Sequence, residues 1–311
     1  MPQSKEFLEL AAQYPGLQAI GNTRLVRLDL GLDIGEAEIY AKLENLNPGG
    51  SIKDRPVLRM LLEARLAGDL TDGKTVLDST SGNAGIAYAM IGATIGAKVE
   101  LVMPGNASTE RKQRIEAHGA NAVLTDPLLG YDEAMREVRR RFEANPDKYF
   151  FSDQYSNDNN WKAHYDTTAA EILQQAPDLT HFVAGIGTGG TITGTGRRLK
   201  QQDKNIRIAC ITPGDWRGIE GLKPLDEGHI VPKIFDPAVV NEYVSVDVDE
   251  AYKLCRLLAS KGFFVGQSSG AYVLGAYTIA KRERKGKFVT IFNDLGERYF
   301  STGMWARSVR S

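Results

Sequence analysis

The chain has 311 residues and a formal net charge of −1, with 38 Lys and Arg against 39 Asp and Glu. That balance excludes the basic stripe of a nucleic-acid binder and the polybasic face of a protein drawn to an anionic membrane. The length suits about two domains with proper cores. No apolar run approaches the roughly 18 residues that cross a bilayer, and the charged opening "MPQSKEFLELAAQYPG" lacks the apolar centre of a signal peptide. Two cysteines, Cys210 and Cys255, lie among apolar neighbours without metal-ligand spacing. They are expected to be reduced and buried, in a cytoplasmic protein that holds no metal.

In chain order, the first informative stretch is "NPGGSIKDRP" (47–56). Ser51 is a preferred N-cap residue and Asp54 stands three positions on, a capping-box pattern. The run "VLRMLLEARLAG" that follows has helical spacing, which predicts a helix over 52–67 with Lys53 in its first turn. An ammonium there faces the positive end of the helix dipole, at a cost of about 0.3–1 kcal/mol. An amine held as a neutral or delocalised imine avoids that cost. On these residues alone, a solvated Lys53 offset by Asp54 is the simpler reading.

Short β-rich runs then alternate with helical ones. Strands are predicted at 75–79, 98–104, 121–126, 181–187, 206–212 and 287–294, and helices at 83–95, 108–118, 130–144, 163–175, 190–202, 249–260 and 269–284. Such alternation implies an α/β protein with parallel sheets covered by helices. The polar stretch "SDQYSNDNN" (152–160) suits a crossing between domains. The Gly- and Pro-rich stretch 212–237 is long enough to be functional.

Three glycine-rich turns are predicted at strand-to-helix junctions, where ligands collect in open α/β sheets. "STSGNAG" (79–85) offers backbone N–H groups and short hydroxyl donors to an anion. "GIGTGGTITG" (185–194) suits a single phosphate: Thr191 stands where a Walker loop needs lysine. It also satisfies G-x-G-x-x-G, but the next strand ends in Thr212 where a dinucleotide site needs an acid. "GQSSGA" (266–271) opens the helix at 269–284 and presents Ser268 and Ser269. Each turn alone is consistent with plain helix capping.

In this order and spacing the motifs resemble those of the cysteine synthase family of pyridoxal-phosphate enzymes, from "IGNTRLVRL" (20–28) to "DLGERYFST" (294–302). The resemblance implies a tryptophan synthase β-like fold of two open, twisted, mainly parallel sheets flanked by helices. It implies a smaller domain at 46–156 with a mobile, substrate-closing part, and a larger domain of 1–45 plus 157–311 that holds the cofactor phosphate. Lys53 would carry pyridoxal 5′-phosphate as a Schiff base and act as the catalytic base. Asn83 would bond the cofactor's 3′ oxygen, Gly187, Thr188, Gly189, Gly190 and Thr191 its phosphate, and Ser268 its ring nitrogen. Thr80, Ser81, Gly82 and Gln154 would hold the substrate carboxylate. The implied reaction is β-replacement through an aminoacrylate, making L-cysteine from O-acetylserine or O-phosphoserine and sulfide or another sulfur donor, in a homodimer. Ala84 and Gln267 depart from the family's usual Thr and apolar residue. Lys223, with Arg217 nearby, stands close to where B-type members carry Arg, and would favour a phosphate leaving group. Competing implications are condensation with homocysteine, as in cystathionine β-synthase, and a non-catalytic regulatory paralogue.

Overall fold

The structure is a computed structural model that describes residues 3–80, 82–214, 219–223 and 231–305. Two of the expected site or loop residues, Ser81 and Arg217, lie outside the described residues.

Helix α1 (Lys5–Ala12) is capped by Ser4, whose Oγ accepts from Phe7 N at 3.1 Å. Strands β1 (Leu25–Arg27) and β2 (Glu38–Lys42) follow as an antiparallel pair. Helix α2 (Asp54–Ala67) leads to β3 (Thr75–Ser79), α3 (Asn83–Ile95), β4 (Lys98–Pro104), α4 (Thr109–Ala117), β5 (Asn121–Thr125), α5 (Gly130–Ala144) and β6 (Tyr149–Phe151). Next come α6 (Asp158–Ala163), a π-helical turn at His164–Thr168, and α7 (Ala169–Gln175). The chain ends with β7 (His181–Gly185), α8 (Gly190–Gln202), β8 (Arg207–Pro213), β9 (Glu242–Val246), α9 (Val248–Ser260), α10 (Gln267–Glu283) and β10 (Lys287–Ile291).

The strands form two sheets. Four parallel strands run in the order β5-β4-β3-β6, and six run in the order β1-β2-β10-β7-β8-β9. Among the strands of the described residues only the β1–β2 pair is antiparallel. Each sheet has its own apolar core: Phe182, Ile208, Val273 and Phe288 belong to that of the larger sheet, and Leu61, Tyr88, Ile91 and Leu101 to that of the smaller. Helix α3 is apolar on nearly every side, and a helix of that kind is stable only when buried. Both cysteines are free and buried. Among the described residues no helix is long and apolar enough to cross a membrane, and no cluster of His, Cys, Asp and Glu suits a metal.

The structure corrects several sequence expectations. Ser51 does not cap α2: Lys53 occupies the N-cap position, and the Asp54 carboxylate turns back to accept from Gly49 N at 2.5 Å. Ser51 instead makes an isolated antiparallel bridge to Asp294, which draws it out of the helix. The predicted helix 163–175 is three pieces, because the π turn inserts in the middle of it. The third glycine-rich turn does not follow a strand, since Val265 makes only an isolated bridge to Leu295. Strands β1, β2, β6 and β9 were not expected as elements.

Candidate active site

A cavity of about 490 Å³ opens between the two sheets. Lys53 is on its wall, together with Thr80, Asn83, Gln154, Gly187, Thr188 and Lys223. A narrow inner recess continues past Lys53 to Thr191, Ser268 and Asn293. The structure thus brings together every expected site residue that it describes, apart from Gly82 and Gly190, which flank the cavity at the starts of α3 and α8.

Lys53 reaches this place because the chain around it is fixed twice. Ile52 N donates to Asn293 O at 2.9 Å beside the Ser51–Asp294 bridge. Asp54 ties the other flank to Gly49. Burial pushes the Lys53 amine down to about 8, and the Asp294 carboxylate pulls it partly back up. Among the described residues the amine makes no hydrogen bond or ion pair. Burial pushes the Asp54 carboxyl up to about 7, against the Gly49 hydrogen bond and the Arg298 and Arg114 charges.

The turn after β3 is held by Thr80, whose Oγ1 accepts from Gly82 N and Gly85 N, each at 2.9 Å. Gly82 has φ +145°, and a Cβ there would collide with the Arg111 side chain. Asn83 donates from Nδ2 to Asp294 Oδ2 at 2.6 Å and accepts at Oδ1 from Arg298 Nη1. Gln154 donates from Nε2 to Ser79 O at 2.6 Å. Its backbone N–H is held by Asp78, which also accepts from Tyr88.

The turn after β7 passes into α8 at Gly190, leaving the first amides of that helix without intrahelical partners. Asn160 donates to Thr188 Oγ1 at 3.1 Å, and its side chain fills the space where a Cβ on Gly190 would lie. His164 contacts Thr191 Oγ1 through Nε2 at 3.3 Å and Thr168 Oγ1 through Nδ1 at 3.0 Å. Burial, with Lys53 and Arg55 nearby, pushes His164 down to about 3, so its imidazole is neutral.

These groups fit pyridoxal phosphate. The Gly187–Thr191 loop offers amides and hydroxyls at a helix N-terminus, the arrangement that favours a phosphate. Ser268 Oγ accepts from Asn293 Nδ2 at 3.1 Å, which leaves its own hydrogen to donate into the recess. The amine of Lys53 stands between that loop and Asn83 on the recess wall.

On the outer rim Lys223 and Gln267, both noted in the sequence, meet Arg111, Asp132, Tyr131, Tyr155 and Glu220, which the sequence did not single out. Arg111 donates to Glu220 and lies over the Tyr299 ring at 4.7 Å. Lys223 Nζ pairs with Asp132 Oδ1 at 2.8 Å and sits 5.8 and 5.6 Å from the rings of Tyr131 and Tyr155. Gln267 Oε1 accepts from Glu220 N at 3.1 Å, so this unusual residue holds the loop that carries Glu220 and Lys223. No spacing in the sequence signals these contacts.

Residues 16–294 match the family described as pyridoxal-phosphate dependent enzyme. The chain is 50% identical over 300 residues to a cysteine synthase of Aquifex aeolicus, covering 93% of this chain and 91% of that protein. It is 40% identical over 291 residues to cysteine synthase B of Escherichia coli, covering 93% and 95%. A solved O-acetyl serine sulfhydrylase isoform 3 from Entamoeba histolytica superposes with a TM-score of 0.87 at 31% identity, covering 96% of this chain and 93% of that one.

Proposed function

The chain belongs to the cysteine synthase family of pyridoxal-phosphate dependent enzymes, and on that premise we propose that its pocket makes L-cysteine by β-replacement on an activated serine. Bound pyridoxal phosphate supplies an aldehyde that joins an amino group and a conjugated ring that accepts electrons from Cα. Lys53 would hold the group through its amine and, once an amino-acid substrate has taken its place there, would be free to move a proton. Its freed amine, which burial keeps near 8, takes the Cα proton. It returns that proton after the oxygen leaving group has departed from Cβ and sulfide has added there.

The other residues bind and orient. Gly187, Thr188, Gly189, Gly190 and Thr191 hold the phosphate, with His164 and Asn160 setting the threonine hydroxyls. Asn83 donates to the ring's 3′ oxygen. Ser268 would donate to the ring nitrogen, and as a hydroxyl it would not hold a proton there as a carboxylate would, which would weaken the ring as an electron sink and disfavour racemisation. Thr80, Ser81, Gly82 and Gln154 hold the substrate carboxylate at the start of α3. Lys223 faces the leaving group, and O-phosphoserine serves as donor alongside O-acetylserine. Residues 46–156 form the smaller domain and the remainder the larger one, in a cytoplasmic homodimer.

The observation that carries this reading is the half-buried Lys53, which lines the recess together with Asn83 and the glycine loop. Borohydride reduction followed by peptide mass mapping tests it. A pyridoxyl group is expected on Lys53. Lys53→Ala is expected to stay folded, since alanine near a helix start is harmless, and to lose both the reduced adduct and turnover. A pyridoxyl group on another lysine overturns the assignment.

A further inference from the structure

Asp294 follows β10, is fully buried and does not line either cavity, yet it touches the site through Asn83. Its Oδ2 accepts from Asn83 Nδ2 at 2.6 Å and from Tyr299 Oη at 2.7 Å, and lies 4.0 Å from Arg111 Nη2. Arg298 donates to the other end of the same amide. An amide between a carboxylate and a guanidinium has one satisfied orientation; reversed, it would set oxygen against oxygen and N–H against N–H. One Asn83 N–H is therefore spent on Asp294, and the second remains for the recess.

We propose that Asp294 is a positioning residue of the cofactor site: it fixes the nitrogen end of the Asn83 amide toward the ring and places a buried anion beside the Lys53 nitrogen. The inference rests on Lys53 and Asn83 holding the cofactor as proposed above. The surrounding groups agree with it. Arg111 and Arg298 face Asp294 from α4 and from the segment after β10, Tyr299 closes a third side, and His164 beside Lys53 is neutral. Asp54 is bound to Gly49, and Glu220 to Arg111. Ser51 bridges to Asp294 and Ile52 N donates to Asn293 O at 2.9 Å, so the Asp294 carboxylate lies alongside the turn that carries Lys53 and is the carboxylate that acts on its nitrogen. A nearby anion favours the protonated form of such a nitrogen.

The test is a pH titration of the visible band of the holoenzyme in the wild type, Asp294→Asn and Tyr299→Phe. Asp294→Asn is expected to lower the midpoint by about one pH unit, since the anion is gone. Tyr299→Phe removes one donor from Oδ2, concentrates the charge and is expected to raise it. An unchanged midpoint in Asp294→Asn overturns the proposal, because a purely structural residue would change stability and leave the titration alone. If Asp294→Asn does not fold, a midpoint that fails to rise in Tyr299→Phe overturns it instead. Absence of any visible band in the wild type would be a different failure, that of the cofactor assignment itself.

Discussion

Lys223 shows how a residue's partners change what its type implies. Sequence alone presents it as a cation near a leaving group. The structure places it on the cavity wall, about 9% exposed, between two tyrosine rings and bound to Asp132 at 2.8 Å. A phosphate carries nearly two negative charges and three strong acceptor oxygens at neutral pH, so it can share the ammonium with Asp132 where neutral acetyl ester oxygen gains little. Lys223→Ala is expected to lower kcat/KM for O-phosphoserine by roughly 10²-fold, about 2.7 kcal/mol, and that for O-acetylserine far less. Steady-state kinetics with both donors checks this, and equal losses would mean that Lys223 only braces the rim. That Lys53, Asn83 and the Gly187–Thr191 loop would meet at one pocket was legible because three short glycine-rich or lysine-bearing motifs stand in the family's order and spacing. Arg111, Glu220, Asp132 and Asp294 were not, because Arg111 and Glu220 meet across 109 residues and Lys223 and Asp132 across 91, which no local spacing records.

At the scale of elements, two ion pairs cross the mouth of the cavity. Arg111 of α4 reaches Glu220, and Asp132 of α5 reaches Lys223; both acceptor-side and donor-side partners on the far wall belong to the loop braced by Gln267. The glycine turn before α3 packs directly on the Arg111 side chain of α4. A reactive substrate intermediate must be kept from water, which favours closure around the bound amino acid. Hydrogen exchange with and without the amino-acid substrate is expected to show added protection at residues 80–85 and across 95–145, and identical exchange in both states would refute it. The helices at 83–95, 130–144 and 190–202 match α3, α5 and α8 end to end: α5 and α8 have an apolar face, and α3 is a continuous apolar run too long for a strand. Strands β1 and β6 are three residues each, too short to show alternation, and "EIYAK" of β2 mixes charge into a strand that is covered only by tertiary packing.

Across the whole molecule, a buried charge network joins α2 to the larger sheet. Arg55 of α2 binds Glu44 at 2.7 Å and Glu171 of α7 at 2.6 Å, while Lys42 of β2 binds Glu171 at 2.6 Å and Thr23. This network anchors the helix whose first residue follows Lys53. Burial pushes the Glu44 carboxyl up, but Arg55, then Lys42 and Thr23, override it and hold the group down at about 2 instead of the ordinary 4.5. A depressed carboxyl contributes stability that is fully present above its unfolded value and is lost as pH falls through the folded one. The contribution is on the order of 3 kcal/mol, lost between about 4.5 and about 2. Glu44→Gln is expected to lose about 3–5 kcal/mol at neutral pH, since Arg55 keeps only Glu171, and to flatten the acid limb in that window. Denaturant midpoints measured down the acid range check both, and an acid limb as steep as that of the wild type would count against the assignment.

The position of β10 has a consequence for how the protein is born. The last of the described strands, β10, lies between β2 and β7, near the middle of the six-stranded sheet, and Asp294 and Arg298 beyond it complete the surroundings of Asn83. While a ribosome is still making the chain, β1 and β2 have no partner that joins them to β7, β8 and β9. The smaller sheet, by contrast, is complete once residue 151 has emerged. Synthesis thus delivers the smaller sheet well before Lys53 has its setting, and a pyridoxal phosphate taken up early would meet Lys53 with neither Ser268 nor Asn293 in place. The setting of Lys53 is in this way completed only by β10 and the segment that follows it, long after the residues of the smaller sheet have been made.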